Sequence, residues 1–136
     1  MTDDTAGRIV SARVANPGAI AEAAAARARR PELTGASERL FIIVADHRAR
    51  GSLGAGADPM AMAGRAKLLR RLQTALGRPG ADGFLGTPDL VEDLLATGAL
   101  EDKIVIGPMN RGGLAGAVFE IDDQFTGYDA AAMGLL

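Results

Sequence analysis

The sequence contains no cysteine and no tryptophan, a single tyrosine and a single histidine. Without cysteine there is no disulfide, no thiolate nucleophile and no thiolate-ligated metal, and a cytoplasmic location is the default expectation. Aromatic residues make up only 4% of the chain, too few for a surface on which nucleobases stack. The formal net charge of −2 leaves no basic field to gather a phosphate backbone, so no nucleic-acid partner is expected. No apolar run approaches the ~20 residues of a membrane span, and the opening MTDDTAGR is not a secretory signal, so no membrane partner is expected either. Lysine is nearly missing: Lys67 and Lys103 are the only two. What is present, 48% hydrophobic and 24% charged residues over 136 positions, suits one folded domain.

The chain is organised around residues 40–54, LFIIVADHRARGSLG. Leu40, Phe41, Ile42, Ile43, Val44 and Ala45 form an unbroken apolar run rich in β-branched residues, as in a parallel strand covered on both faces. Asp46, His47, Arg48 and Arg50 follow at once, with Gly51 and Gly54 behind them. Ligands of parallel α/β folds sit outside the carboxyl ends of the strands, so this charged cluster is the first candidate site. A charged turn and helix cap is the plainer alternative.

Residues 1–15 show weak patterning and are expected on the surface. Asn16-Pro17 reads as an N-cap and first helical position, opening an alanine-rich helix over residues 18–30. With Ile20 its only large apolar residue, that helix should pack weakly, as a lid or an arm. Arg27, Arg29 and Arg30 at its end complement the helix dipole, with a basic ligand patch as the competing reading. Asp58-Pro59 repeats the start signal ahead of Met62, Leu69, Leu72 and Leu76 at helical spacing, and Gly77 ends that helix. A second strand is expected over residues 81–85. Thr87, Pro88 and Asp89 then start a helix whose apolar face is Leu90, Val91, Leu94 and Leu95, with Gly98 just past its end. A third strand spans residues 103–107 and opens into Asn110-Arg111-Gly112-Gly113. Beyond it the pattern fades: residues 117–121 read as strand or loop, and residues 127–133 can open a helix. Alternating strand and helix is the rhythm of a parallel sheet.

The residues permit some chemistries and not others. GSLGAG at residues 51–56 has the wrong spacing for a dinucleotide fingerprint. Asn110, Arg111, Gly112 and Gly113 are able to hold an anion through a guanidinium fork and open backbone N–H groups, or to form a solvent loop. Asp46 and His47 would need help from Glu120, Asp122 or Asp123 to hold a metal, and no ligand spacing is specific, so neither metal nor cofactor is called for. A Schiff base needs a lysine in the pocket. Lys67 falls mid-helix on the outside and Lys103 opens the third strand at the wrong end.

FIIVADHRARGSLG, GFLGTPDLVEDLL, KIVIGPMNRGGLAG and FEIDDQFTGYDAAA together resemble the Cgl0159-like family, over about residues 14–133. The resemblance implies a (β/α)8 barrel related to class I aldolases of the deoxyribose-phosphate, fructose-bisphosphate and tagatose-bisphosphate types, about twice this length. In those relatives the acid ending the first strand contacts the sugar, and Asp46 matches it. Their Schiff-base lysine lies on a later strand, and the pattern here ends at MGLL.

The expected fold is therefore α/β: a helical arm and linker over residues 1–38, then residues 39–136 as parallel βα units of a barrel, truncated to about its first half. The truncation would come from a shortened gene or a frameshift. The expected function is an aldolase-like carbon–carbon lyase fragment of sugar or inositol catabolism, inactive alone. Asp46 and His47 are its catalytic candidates. Arg48, Thr87, Asn110, Arg111, Gly112 and Gly113 are its substrate-binding candidates. The expected ligand is a small phosphorylated or polyhydroxy carbonyl metabolite. The inner strand faces, assigned to Phe41, Ile43, Leu85 and Val105, would be bare, so the chain should self-associate or pair with a missing C-terminal half. The alternative is a small α/β metabolite-binding module without catalysis, or a fragment that folds only in part.

Overall fold

The computed structural model describes residues 4–34, 38–109 and 127–136. Within them the order is α1 (Thr5–Ala15), α2 (Ala19–Ala26), β1 (Ile42–Ala45), α3 (Arg65–Leu76), β2 (Gly83–Gly86), α4 (Pro88–Ala96), β3 (Ile104–Ile106) and α5 (Ala130–Leu135). The strands form one parallel sheet in the order β1-β2-β3, with Ile43, Phe84 and Val105 in one cross-strand row. No helix among the described residues is long and apolar enough to cross a membrane.

Strand parity decides what each face does. Ile43, Ala45, Phe84 and Val105 pack against the helices, and Phe84 is wholly buried. The helical side of this core is Leu69, Leu72 and Leu76 of α3 and Leu90, Val91, Leu94 and Leu95 of α4, as their spacing foretold. The other face carries Ile42, Val44, Leu85, Ile104 and Ile106, and Val44 is 57% exposed. This corrects the assignment of Ile43 and Val105 to the bare face. The apolar run in β1 has no alternation, so sequence alone could not tell its faces apart. Phe41, 62% exposed, lies before the strand begins. Gly83 keeps the bare face close-packed, because a Cβ there would come within 2.9 Å of Ile42 Cδ1 and 2.5 Å of the Ile104 carbonyl.

Three helix starts differ from the sequence signals. Residues 5–15 form a helix that buries Thr5 and Ile9, where weak patterning had suggested surface. Val10 and Val14 remain exposed, so α1 has no stripe to read. Asn16 closes α1, and its Oδ1 accepts from the Gly18 N–H, so α2 starts after Pro17. Asp58 likewise accepts from Met60 in a local turn, and α3 begins only at Arg65, leaving Met62 in the loop. Asn and Asp followed by Pro favour such turns as readily as helix starts. Thr87 and Pro88 do start α4, and the Leu94 and Leu95 carbonyls accept from Ala99 and Gly98 at its end, with Gly98 at φ +68°. That is the paired-bond stop for which a glycine is suited.

The arginines expected within the end of α2 lie at and beyond its stop, and tie other segments to it. The helix stops at Ala26, and Arg27 donates to the backbone oxygens of Leu100, Lys103 and Leu136. Burial and the neighbouring Arg29 lower its pKa. Arg29 reaches the Gly134 and Leu135 oxygens at the end of α5. Arg30 pairs with Asp82 at 2.6 Å, and the other Asp82 oxygen accepts from the Phe41 N–H. Those two bonds hold the Asp82 carboxyl below its ordinary pKa. Lys103 Nζ donates to the Ala81 carbonyl at the same, N-terminal end of the sheet.

A second charged tie lies within the helical layer. Asp93 of α4 is 1% exposed and is held by Arg65 of α3 and by Arg13 of α1 at 3.2 Å. Removing one partner of a buried pair strands the other charge, at about 3–5 kcal/mol. Both guanidinium groups here reach solvent, so Asp93→Ala should cost about 3 kcal/mol, at the low end of that range. Chemical denaturation of the two proteins checks this; a loss under ~0.5 kcal/mol, the usual scale of surface changes, would show that the tie is not structural.

Candidate functional site

The carboxyl end of the sheet is where the polar residues gather, and strand parity sorts them. Asp46 continues the parity of Ile42 and Val44 and so falls on the bare-face side of the sheet. Its carboxylate accepts from Arg50 Nε at 2.7 Å. A turn returns Arg50 over it: the His47 carbonyl accepts from Arg50 and Ser52, the Arg48 carbonyl accepts from Gly51, and Gly51 sits at φ +75°. His47 takes the opposite parity. It lines a cavity of about 90 Å³ on the helical side, with Met62, Lys67, Leu68 and Arg71. Its Nε2 is buried and finds no hydrogen-bond partner among the described residues, and neither does Arg48 Nε. The structure thus separates Asp46 from His47, although they are adjacent in sequence.

Thr87 directly follows Gly86, the last residue of β2 to pair with β1, and occupies the N-cap position of α4. Its hydroxyl donates to Asp89 Oδ1 rather than capping α4. Asn110, Arg111, Gly112 and Gly113 lie outside the described residues, as do Glu120, Asp122 and Asp123. Among the described residues no three His, Asp or Glu side chains come together as a metal site would require. Lys103 is tied to the base of the sheet, whereas Lys67 lies in the first turn of α3 rather than mid-helix, exposed and lining the His47 cavity on the helical side of β1.

Tyr128 is the residue that sequence reasoning missed. The segment after β3 returns alongside it, with Gly127 and Tyr128 donating to the carbonyls of Met109 and Pro108. A Cβ at Gly107 would come within 2.5 Å of both the Tyr128 ring and Met133 Sδ, so the glycine is the seat of the ring. The phenol donates to the Pro88 carbonyl at the start of α4, 3.3 Å away. Desolvation, with Glu92 and Asp89 nearby, pushes its pKa up to about 12. Being the chain's only tyrosine, next to a glycine, was the one available signal.

The larger cavities lie elsewhere. One of about 470 Å³ flanks the N-terminal end of β1, and one of about 580 Å³ lies among α1, α2, α4 and α5. What the end of β1 offers chemically is a carboxylate fixed by a guanidinium, groups able to hydrogen-bond hydroxyls and oxyanions.

The Cgl0159-like family pattern matches residues 38–135. The chain belongs to the Cgl0159-like family. It is similar to the crystal structure of Cgl0159 from Corynebacterium glutamicum, with 49% sequence identity and a TM-score of 0.89 over 98% of this chain and 45% of that one. The chain therefore spans less than half the length of that Cgl0159-like relative. No curated protein matches the sequence.

Burial pushes the Tyr128 phenol up from its ordinary 10.0 to about 12. Between pH 10 and 12 the unfolded chain gives up the phenol proton first, so stability should fall as pH rises through that window. An ultraviolet titration of the folded chain should show a midpoint near 12. A midpoint at the ordinary tyrosine value would place the ring in solvent.

Proposed function

We propose that this chain supplies the first βα units of a (β/α)8 barrel of the class I aldolase type, and that Asp46 is its substrate-contacting acid. The observation that carries the reading is Asp46 at the carboxyl end of parallel strand β1, on the bare side of the sheet and fixed by Arg50 at 2.7 Å. Three features support it. The strands are parallel and adjacent in sequence order, as in a singly wound barrel. Their second face is apolar and bare, as a barrel interior would be before its other strands cover it. The Cgl0159-like relative is more than twice as long, which leaves room for them. The ligand on this reading is a small phosphorylated or polyhydroxy carbonyl compound, bound by Asp46 and Thr87 together with Arg48 and Asn110–Gly113. With Lys103 at the base of the sheet and Lys67 on the helical side of β1, away from the bare face of Asp46, the chain alone forms no Schiff base on this reading.

Reductive trapping tests the chemistry. Incubated with dihydroxyacetone phosphate or deoxyribose 5-phosphate and borohydride, the chain should acquire no adduct by mass spectrometry. The full-length Corynebacterium relative should acquire one, on a lysine outside the portion that matches this chain. An adduct at Lys67 or Lys103 would overturn the inference that the chain alone forms no Schiff base, and an unmodified relative would remove the aldolase reading.

The bare face also implies association, since a contiguous apolar sheet face favours burial. Sedimentation at low micromolar concentration should show self-association, or tight pairing with the remainder of the relative. Val44→Asp with Ile106→Asp should return the chain to monomer. A wild-type monomer with a sharp, concentration-independent melt would favour the small binding module instead.

A further inference from the structure

We propose that the groove at the N-terminal end of β1 binds a small amphiphilic oxyanion, an apolar chain ending in a carboxylate-like head. The site lies at the opposite end of the sheet from Asp46 and depends on no part of the aldolase reading. Its cavity of about 470 Å³ falls in the ordinary range of small-molecule pockets, about 300–1,000 Å³. The floor is apolar: Phe41, Ile43 and Ala81. The rim is basic: Arg70, Arg71 and Arg78.

Two features set this rim apart. The first is its lack of counter-charge. Arg13, Arg30, Arg50 and Arg65 each pair with a carboxylate, and Arg27 and Arg29 bond backbone oxygens. Arg70, Arg71 and Arg78 form no ion pair among the described residues, and α3 itself, RAKLLRRLQTAL, contains no acid. An otherwise acidic chain thus concentrates unpaired positive charge around one cavity. The second is the floor. Phe41 is 62% exposed although its backbone is fixed on both sides, its N–H donating to Asp82 Oδ2 and its carbonyl accepting from the Asp82 N–H. An exposed, large apolar side chain on a fixed backbone, in a cavity it shares with guanidinium groups, favours a ligand with complementary halves. The tail removes the Phe41 and Ile43 surface from water. The head receives the forked hydrogen bonds that arginine makes to planar oxyanions.

Calorimetric titration of the full chain with decanoate, below its micelle concentration, tests this. Decanol serves as the tail without the charge and acetate as the head without the tail. Decanoate should bind at one site per chain, at least about tenfold tighter than either control, the scale of one charge-assisted hydrogen bond. The exposed substitutions Arg70→Gln and Arg78→Gln together should weaken it by at least that factor. Phe41→Ser should weaken decanoate as well, while Val44→Ser, on the bare sheet face, should leave it unchanged. Decanol binding as tightly as decanoate, or an unaffected arginine double variant, would refute the site. Loss of binding in Val44→Ser would move the ligand to the bare sheet face and also refute it. So would a double variant that alters the oligomeric state instead of decanoate affinity, because the groove would then be a protein interface.

Discussion

Phe84 is the side chain on which the rest of this structure depends. It sits at the centre of the middle strand, is wholly buried, and joins the sheet to the helical layer. Both glycines of β2 serve the same packing. A Cβ at Gly86 would come within 2.5 Å of the Phe84 ring, and one at Gly83 would collide with Ile104 on the opposite face. The short motif GFLG therefore fixes how closely three strands and two helices approach. Truncating a buried phenylalanine of this kind costs about 3–5 kcal/mol, a large share of the ~5–15 kcal/mol that holds an ordinary domain together.

From that centre, parity distributes function. Residues of β1 that share the side of Ile43 enter the helical core, and those that share the side of Ile42 face away. Continued one and two positions past Ala45, the same alternation gives Asp46 to the bare side and His47 to the small cavity beside α3. Two adjacent ionisable residues thus meet different surroundings. Asp46 is matched by Arg50, whereas the buried Nε2 of His47 has no partner among the described residues. The pairing of carboxylate and guanidinium across four residues is a product of the turn at residues 47–51.

Arginine does most of the long-range work. Arg27 joins the end of α2 to the base of β3, Arg30 joins the following segment to Asp82, and Arg13 and Arg65 converge on Asp93. Each spreads several fixed donors over acceptors on other elements, which a lysine, with one compact ammonium, does less well. The scarcity of lysine and the abundance of arginine thus have a structural counterpart. Arg70, Arg71 and Arg78 of the β1 groove, by contrast, form no ion pair among the described residues.

The sequence by itself determined the α/β class, the three strand positions, and the whole of α4 from Thr87 to Gly98. It did so because those signals are local: a β-branched run, a Thr-Pro start, a glycine stop and a 3.6-residue stripe. The blocks around the strands also carried the family. Tertiary structure decided the remainder. Helix α1 buries one large side chain and forms through contacts that its own sequence does not display. The starts of α2 and α3 turned on whether an Asn or Asp capped a helix or bent a turn, which local sequence leaves open. Which face of β1 is buried depended on where α3 and α4 lie, because an unbroken apolar run has no preferred side. For the same reason the separation of Asp46 from His47, the seat of Tyr128 on Gly107, and the basic rim above Phe41 arise only when distant segments meet.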